Sequence, residues 1–389
     1  MLQERLKILR LSRGLSMEEL VAKMGGIVTK QAISKYERGL ANPSARILIK
    51  LAQALGVKTL SLLEEPDVCI DFVAYRKGCG LKEREQQRIK SFLTVVLERW
   101  IDLQETTGSK AETKLPVQSE TVSKLEDVEG IAYKIRQQWK LGFEPISNIT
   151  NTLENNNVFV VEVKADEKFD GISAFARDGS KKIKAAVVAS RQGIAGERQR
   201  LNLAHELGHL ILKVPEQVDE EKAAFRFGAA FLAPIKIVYD EVGSKRTNIS
   251  LKELLLLKKR LGLSLQAIIY RLKDLGIINQ SYYQEWFIYV NRQGWKKKEP
   301  SELKPEKPQW LIKTVYHALS ENLITIEKAE SLLGIKLDIE LDGNSAQRRA
   351  FTRLSLPERR RALLKQAQKV APDYEYDSDW LNLESIDGY

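Results

Sequence analysis

The stretch LNLAHELGHLIL, residues 201–212, places His205, Glu206 and His209 in an apolar run. The chain has three histidines, and two of them lie here, four residues apart. Residues i and i+4 of an α-helix share one face, so both imidazoles can hold one metal ion. Glu206 lies at the flank, where its carboxylate would act as general base on a water molecule. This spacing predicts a hydrolytic zinc site, and the alternative is a buried helix that carries two histidines by chance.

A catalytic zinc ion usually takes three protein ligands, so one ligand must come from outside this motif. Acidic residues begin the next predicted helix, at Asp219, Glu220 and Glu221. Glu221 shares a helix face with apolar residues, where a bare carboxylate is costly to bury and therefore needs a partner. Glu220 would point elsewhere, toward solvent. We therefore prefer Glu221 over Glu220 as the third ligand, with zinc as the expected cofactor and manganese as the alternative metal.

The stretches ERQRLNLAHELGHLIL (197–212) and EKAAFRFGAAFLAP (221–234) resemble the ImmA/IrrE family of metallopeptidases. Two further segments, IRQQWKLGFEPISNITNTLENNNVFVVEV and GISAFARDGSKKIKAAVVAS, are similar to the family's opening helices and strands, so the resemblance covers about residues 125–275. It implies a gluzincin-like zinc site of two histidines and a glutamate, which is Glu221 here. Phe225 departs from the family, which often has Asn or Asp at this position, so we expect a polar contact that orients the glutamate to be missing, which bears on activity rather than on zinc binding.

A second motif lies in MEELVAKMGGIVTKQAISKYERG, residues 17–39, where two short predicted helices are joined by a glycine-containing turn. This pattern is typical of a helix-turn-helix. Ser16 and Glu19 form a capping box that begins the first helix. Gln31 can reach a base edge in the major groove, while basic neighbours hold phosphates. The outer face of the second helix, which we predict to contact DNA, carries Lys30, Gln31, Ser34, Lys35 and Arg38.

Short predicted helices over about residues 3–64 resemble the Xre/Cro-type repressor domain. The resemblance implies binding to double-stranded operator DNA, and a homodimer is expected. The alternative is a five-helix bundle that only packs or binds another protein. A formal net charge of +10 favours DNA, because a basic surplus attracts a polyanion.

The chain of 389 residues is expected to be multidomain and mainly α, with a small α+β domain. The β-rich runs NVFVVEV and AAVVAS, with GISAFARDG between them, lie in the α+β domain. Four segments are predicted: a five-helix helix-turn-helix domain at 1–65, a helical linker at 66–120, a gluzincin-like metallopeptidase domain at 121–275, and a helical C-terminal region with an acidic tail at 276–389.

Other features argue against several classes of protein. No segment approaches 18 uninterrupted apolar residues, so no membrane span is expected. The first residues lack a signal-peptide pattern. Cys69 and Cys79 are ten residues apart, which favours neither a disulfide framework nor a cysteine zinc site. His317 is expected on a helix face and the lysine run 296–298 in a solvated linker. A cytoplasmic location is therefore expected.

Together these features predict a DNA-binding transcriptional regulator whose zinc endopeptidase domain cleaves a regulatory protein such as a repressor. An antitoxin-like alternative would bind its own promoter and neutralise a toxin partner, with the peptidase fold as a scaffold. The last 18 residues favour it, because they carry six acidic and no basic residues and could occupy a basic toxin site. A repressor without protease function is a third interpretation.

Overall fold

The computed structural model describes residues 2–63, 69–74, 82–108, 120–177, 179–296 and 298–337, and also 355, 357–358 and 360–361. The chain divides into a larger unit, Met1–Thr325, and a smaller one, Ile326–Tyr389. Three features that the sequence singled out, Cys79, Lys297 and the acidic tail, lie outside the described residues. None of the helices in the described ranges is long and apolar enough to cross a membrane.

Helices make up most of the regular structure in these ranges, as the sequence predicted. The helices are α1 (Leu2–Ser12), α2 (Met17–Lys23), α3 (Lys30–Glu37), α4 (Ala45–Leu55), α5 (Leu60–Leu63), α6 (Glu83–Thr106), α7 (Asp127–Gln138), α8 (Ile149–Asn155), α9 (Gly196–Ile211), α10 (Glu220–Leu232), α11 (Ile235–Val242), α12 (Leu251–Leu261), α13 (Leu265–Asp274), α14 (Gln280–Arg292), α15 (Trp310–Ser320) and α16 (Ile326–Leu333). The strands are β1 (Cys69–Ala74), β2 (Glu120–Thr121), β3 (Val158–Val163), β4 (Gly171–Arg177), β5 (Ile183–Arg191) and β6 (Leu212–Lys213).

The N-terminal domain packs α1 to α5 around a small apolar core that includes Leu6, Leu20 and Ile33. Local sequence sets its helix starts. The capping box of α2 is complete, since the Ser16 side chain accepts from the Glu19 N–H and the Glu19 carboxylate accepts from the Ser16 N–H. A buried ion pair joins the first and third helices: Arg10 donates to both carboxylate oxygens of Glu37, at 2.6 and 2.8 Å.

A four-stranded sheet forms the centre of the rest of the larger unit, in the order β1-β4-β5-β3. The β1–β4 and β4–β5 pairs are antiparallel, and β3 is parallel to β5. Successive side chains of a strand point to opposite faces. Val158 and Val160 therefore enter the core shared with α7 to α14, while Phe159 and Val161 enter a second core. Burial on both faces explains the nearly continuous apolar runs of these strands.

Helix α6 covers the second face of the sheet. Its residues Ile89, Leu93 and Leu97 pack on that face, while Val95 joins the core of the N-terminal domain. Arg5 of α1 donates to Glu98 of α6 at 2.5 Å, with both side chains largely buried. Within the range 66–120, which the sequence predicted to be a helical linker, β1 pairs with β4 at the edge of the sheet and α6 packs between the sheet and the N-terminal domain.

A strap, which we define as residues 298–309, runs between α14 and α15 and crosses the start of α9. The Gly196 N–H donates to the Leu303 carbonyl at 2.8 Å. Lys258 donates to Glu197 at 2.5 Å and to Glu299 at 2.8 Å, and all three side chains are buried. Because buried charges are costly unless paired, these contacts hold the strap and the N-terminus of α9 in one position.

The smaller unit contains helix α16, which is followed by Gly334.

We expect Glu37→Ala to reduce the free energy of unfolding of the N-terminal domain by about 3 kcal/mol, because it leaves the Arg10 guanidinium buried without its carboxylate. Glu18→Ala is the matched control, since its pair with Lys30 is exposed to solvent and is expected to contribute little to stability. Amide hydrogen exchange at Leu6 and Ile33 measures local stability in the intact chain. Equal protection in the two variants would contradict the prediction.

Candidate metal centre and DNA-binding helix

Helix α9 brings the two histidines of the sequence motif together. It is buried along most of its length, and His205 and His209 are 2 % and 3 % exposed. They lie one turn apart, with their Nε2 atoms 3.1 Å from each other. Two ring nitrogens directed at the same point in a buried region are the arrangement that a shared cation needs.

Glu221 completes the group from the first turn of α10. Its Oε2 lies 3.6 Å from His205 Nε2, and its Oε1 lies 3.5 Å from His209 Nε2. One ligand atom from each of the three residues can be chosen so that all lie within 4.8 Å of one another. Two imidazoles and one carboxylate are a donor set that zinc takes in hydrolytic enzymes, with a fourth position left open. The Glu221 side chain is 41 % exposed, so the group is accessible from its side.

Glycines allow the close approach of α10 to α9 that this geometry requires. A Cβ added at Gly228 would lie 2.9 Å from the backbone nitrogen of His205. A Cβ added at Gly208 would lie 3.2 Å from the Cα of Ala224. Side chains at these two positions would push the helices apart and move Glu221 away from the imidazoles.

Glu206 lies against the sheet, and it is 6 % exposed. Gly171 at the start of β4 makes room for it, because a Cβ there would lie 2.9 Å from Glu206 Oε1. The Glu206 carboxylate also contributes to the electrostatic environment of His209. The predicted general base is therefore a buried carboxylate close to the metal-ligand group.

The pKa of the His209 imidazole is raised above its usual value. Burial would lower it, but the hydrogen bond to Glu221 and the negative charges of Glu206, Glu221 and Glu220 outweigh burial. The three carboxylates thus favour the charged form of the His209 imidazole.

Glu220 does not lie in the ligand group, yet it contacts one of its members. The side chain is 57 % exposed, and its Oε1 lies 3.3 Å from His209 Nδ1. The sequence placed this residue toward solvent and missed the contact. Helical periodicity predicts that the side chains of Glu220 and Glu221 point in different directions. It does not predict the distance between α10 and α9, which decides whether Glu220 reaches His209.

Phe225 occupies the next turn of α10 on the side of Glu221. Its ring centroid lies 4.1 Å from that of His205, and the residue is 40 % exposed. An aromatic side chain thus borders the metal-ligand group at its open side.

Helix α3 carries the predicted DNA contacts. Lys30, Gln31, Lys35 and Arg38 are exposed and Ser34 is half-buried. Thr29 begins the helix, because its hydroxyl accepts from the Ala32 N–H. Sequence reasoning missed that Glu37 is buried against Arg10. Ile33 anchors the opposite face in the core, which leaves the polar face outward.

Other candidate residues lie away from these groups. His317 is exposed on α15, as expected for a helix-face residue. Cys69 is an exposed free thiol in β1. Lys296 lies over the Phe287 ring, 5.3 Å from its centroid.

Comparison with known families identifies both domains. Residues 6–62 match a family described as helix-turn-helix, and residues 189–273 match a peptidase family described as IrrE N-terminal-like domain. Both resemblances found in the sequence are thereby confirmed, and so is the multidomain, mainly helical fold class.

Two curated proteins are similar to a part of this chain. The SPbeta prophage-derived uncharacterized HTH-type transcriptional regulator YonR of Bacillus subtilis is 42 % identical over 64 residues, which is 16 % of this chain and 57 % of that protein. The uncharacterized HTH-type transcriptional regulator y4dJ of Sinorhizobium fredii is 42 % identical over 59 residues, which is 15 % of this chain and 74 % of that protein. The chain thus spans little more than half of the first relative.

We expect Gly228→Ala to destabilise the larger unit by about 1–3 kcal/mol, because the added methyl group meets backbone atoms of α9. Gly130→Ala on α7 is the control, since a Cβ there meets nothing within 4 Å and should stabilise the helix by up to about 1 kcal/mol. Thermal unfolding of the intact chain compares the two. A Gly228 variant as stable as the Gly130 variant would contradict the predicted close approach.

Proposed function

Because this chain belongs to the HTH-type transcriptional regulators and carries an IrrE N-terminal-like peptidase domain, we propose that it is a zinc-dependent endopeptidase that also binds operator DNA. Its substrate would be a regulatory protein such as a repressor. The observation that carries the proposal is the group formed by His205, His209 and Glu221 beside the buried Glu206.

His205, His209 and Glu221 would hold the metal ion. A zinc ion bound there would supply Lewis-acid polarisation of the scissile carbonyl and of the attacking water. The Glu206 carboxylate would take a proton from that water and later pass it to the leaving amine. Its burial against Gly171 limits its motion, so the proton acceptor is held in one place.

Access to the site supports a peptide substrate. The partial exposure of Glu221 and Phe225 leaves one side of the ligand group open to an extended chain. Phe225 would contact the substrate next to the bond that is cut.

The DNA-binding part of the proposal rests on the exposed polar face of α3. Gln31 would contact a base edge, and Lys30, Lys35 and Arg38 would contact phosphates. A homodimer would match the two half-sites of a palindromic operator. The cytoplasm is the compartment in which both activities would operate.

We expect the purified wild-type chain to contain about one zinc ion, because three protein ligands make a catalytic site. His205→Ala should lose the metal, while Glu206→Gln should keep it and cleave peptides about 10²–10⁴-fold more slowly. Elemental analysis measures the metal, and it would also reveal manganese. Mass spectrometry of a random peptide library measures cleavage.

His317→Ala is the control for metal content, since it removes the third histidine from an exposed helix face. A wild-type chain without metal would remove the proposed activity and favour a scaffold role for this domain. If Glu206→Gln cleaved peptides at the wild-type rate, Glu206 would not be the general base, and the proposed metal site would be unaffected.

For DNA, we expect Lys35→Ala to weaken binding to all duplexes. The slope of the logarithm of the binding constant against the logarithm of the salt concentration should fall by about 1, which corresponds to one lost phosphate contact. Gln31→Ala should instead relax the preference at one base pair by about 1–3 kcal/mol. Binding is measured with a duplex selected by the wild-type chain from random sequences, at several salt concentrations. Lys7→Ala, an exposed lysine of α1, is the control. If both α3 variants bound DNA as the wild type does, the proposal that the polar face of α3 contacts DNA would be wrong.

A further inference from the structure

The two ring nitrogens of His209 face different carboxylates. Nε2 lies 3.5 Å from Glu221 Oε1 and 3.1 Å from His205 Nε2, so it belongs to the ligand group. Nδ1 lies 3.3 Å from Glu220 Oε1. A neutral imidazole has one N–H donor and one lone pair. The two positions therefore suit opposite roles, with the lone pair on Nε2 and the proton on Nδ1.

We propose that Glu220 is a positioning residue, whose carboxylate accepts the Nδ1–H of His209 and holds Nε2 directed at the metal. The proposal rests on the proposed metal site. A hydrogen bond at one nitrogen of a metal-ligating histidine fixes its tautomer and its ring orientation, and it raises the basicity of the ligating nitrogen.

The start of α10 explains how neighbouring glutamates reach the same ring. Consecutive helical residues point about 100° apart, so the side chains of Glu220 and Glu221 pass on different sides of His209. Asp219 does not compete for this place, because its Oδ1 accepts from the Lys222 N–H at 3.0 Å and caps the helix. The N-terminal end of the helix dipole favours negative charge on both glutamates.

Glu220 is more exposed than Glu221, which matches this division of roles. Its side chain is 57 % exposed, against 41 % for Glu221. A ligand must stay within reach of the metal and the imidazoles, whereas a hydrogen-bond acceptor can lie at the rim. Water competes for a hydrogen-bond acceptor at the rim. We therefore expect the loss of Glu220 to weaken zinc binding without abolishing it.

Zinc affinity of the full-length chain provides the first test, measured with zinc alone against a competing chelator. Glu220→Ala should bind zinc about 10–100-fold more weakly than the wild type. Glu220→Gln keeps an oxygen that can accept the Nδ1–H, so it should recover most of this loss. Glu216→Ala removes the charge of an exposed glutamate in the preceding loop, and it should bind zinc as the wild type does.

The ring tautomer provides a second test that needs no metal. Three histidines in the chain keep the long-range ¹H–¹⁵N spectrum simple, and His317→Ala and His205→Ala assign it. At a pH where His209 is neutral, the metal-free wild type should carry its proton on Nδ1. In Glu220→Ala, the population should move toward Nε2–H.

Failure of the inference differs from failure of the proposed function. A wild-type chain that binds no zinc would end the peptidase proposal, and the tautomer would still decide whether Glu220 positions His209. Unchanged zinc affinity and unchanged tautomer in Glu220→Ala would overturn the inference. An equal loss of affinity in Glu216→Ala would also overturn it, because the effect would then be general electrostatics rather than a hydrogen bond.

Discussion

The metal-ligand group depends on the close approach of helix α10 to helix α9. Two glycines face the opposing backbone, Gly228 against His205 and Gly208 against Ala224, and neither position has space for a Cβ without a shift. At this separation the first turn of α10 lies beside the histidines, and Glu221 comes within 3.6 Å of both Nε2 atoms. Protein interiors are close-packed, so a small change in helix separation cannot be absorbed locally. The same separation lets Glu220 reach the other nitrogen of His209.

The position of α9 is set in turn by what packs around it. Its apolar residues pack into the core between the sheet and the surrounding helices, and Glu206 lies against Gly171 of β4. At its N-terminus the strap is held through Gly196 and the buried group of Glu197, Lys258 and Glu299. A helix fixed along its side and at its end presents the imidazoles in one orientation. Preorganisation of this kind lowers the cost of binding a cation at a site of this geometry.

Helix α6 connects the two candidate sites physically. One face packs on the sheet that supports Glu206, and the other contacts the N-terminal domain through Val95 and the Arg5–Glu98 pair. Helix α3 and the metal-ligand group therefore belong to one packed unit, Met1–Thr325.

Local rules let the sequence alone determine a large part of this protein. The spacing of His205 and His209 places them on one helix face wherever the helix lies, and the caps at Ser16 and Thr29 depend only on neighbouring residues. Tertiary structure decided the rest, because periodicity gives the direction of a side chain but not the distance to the element that it faces. It fixed the distance between the imidazoles and Glu221, which the sequence had already singled out, gave Glu220 its contact with Nδ1, and joined β1, α6 and the strap to the sheet and to α9. The partners in these contacts lie on separate elements, and no local pattern records how closely two elements approach.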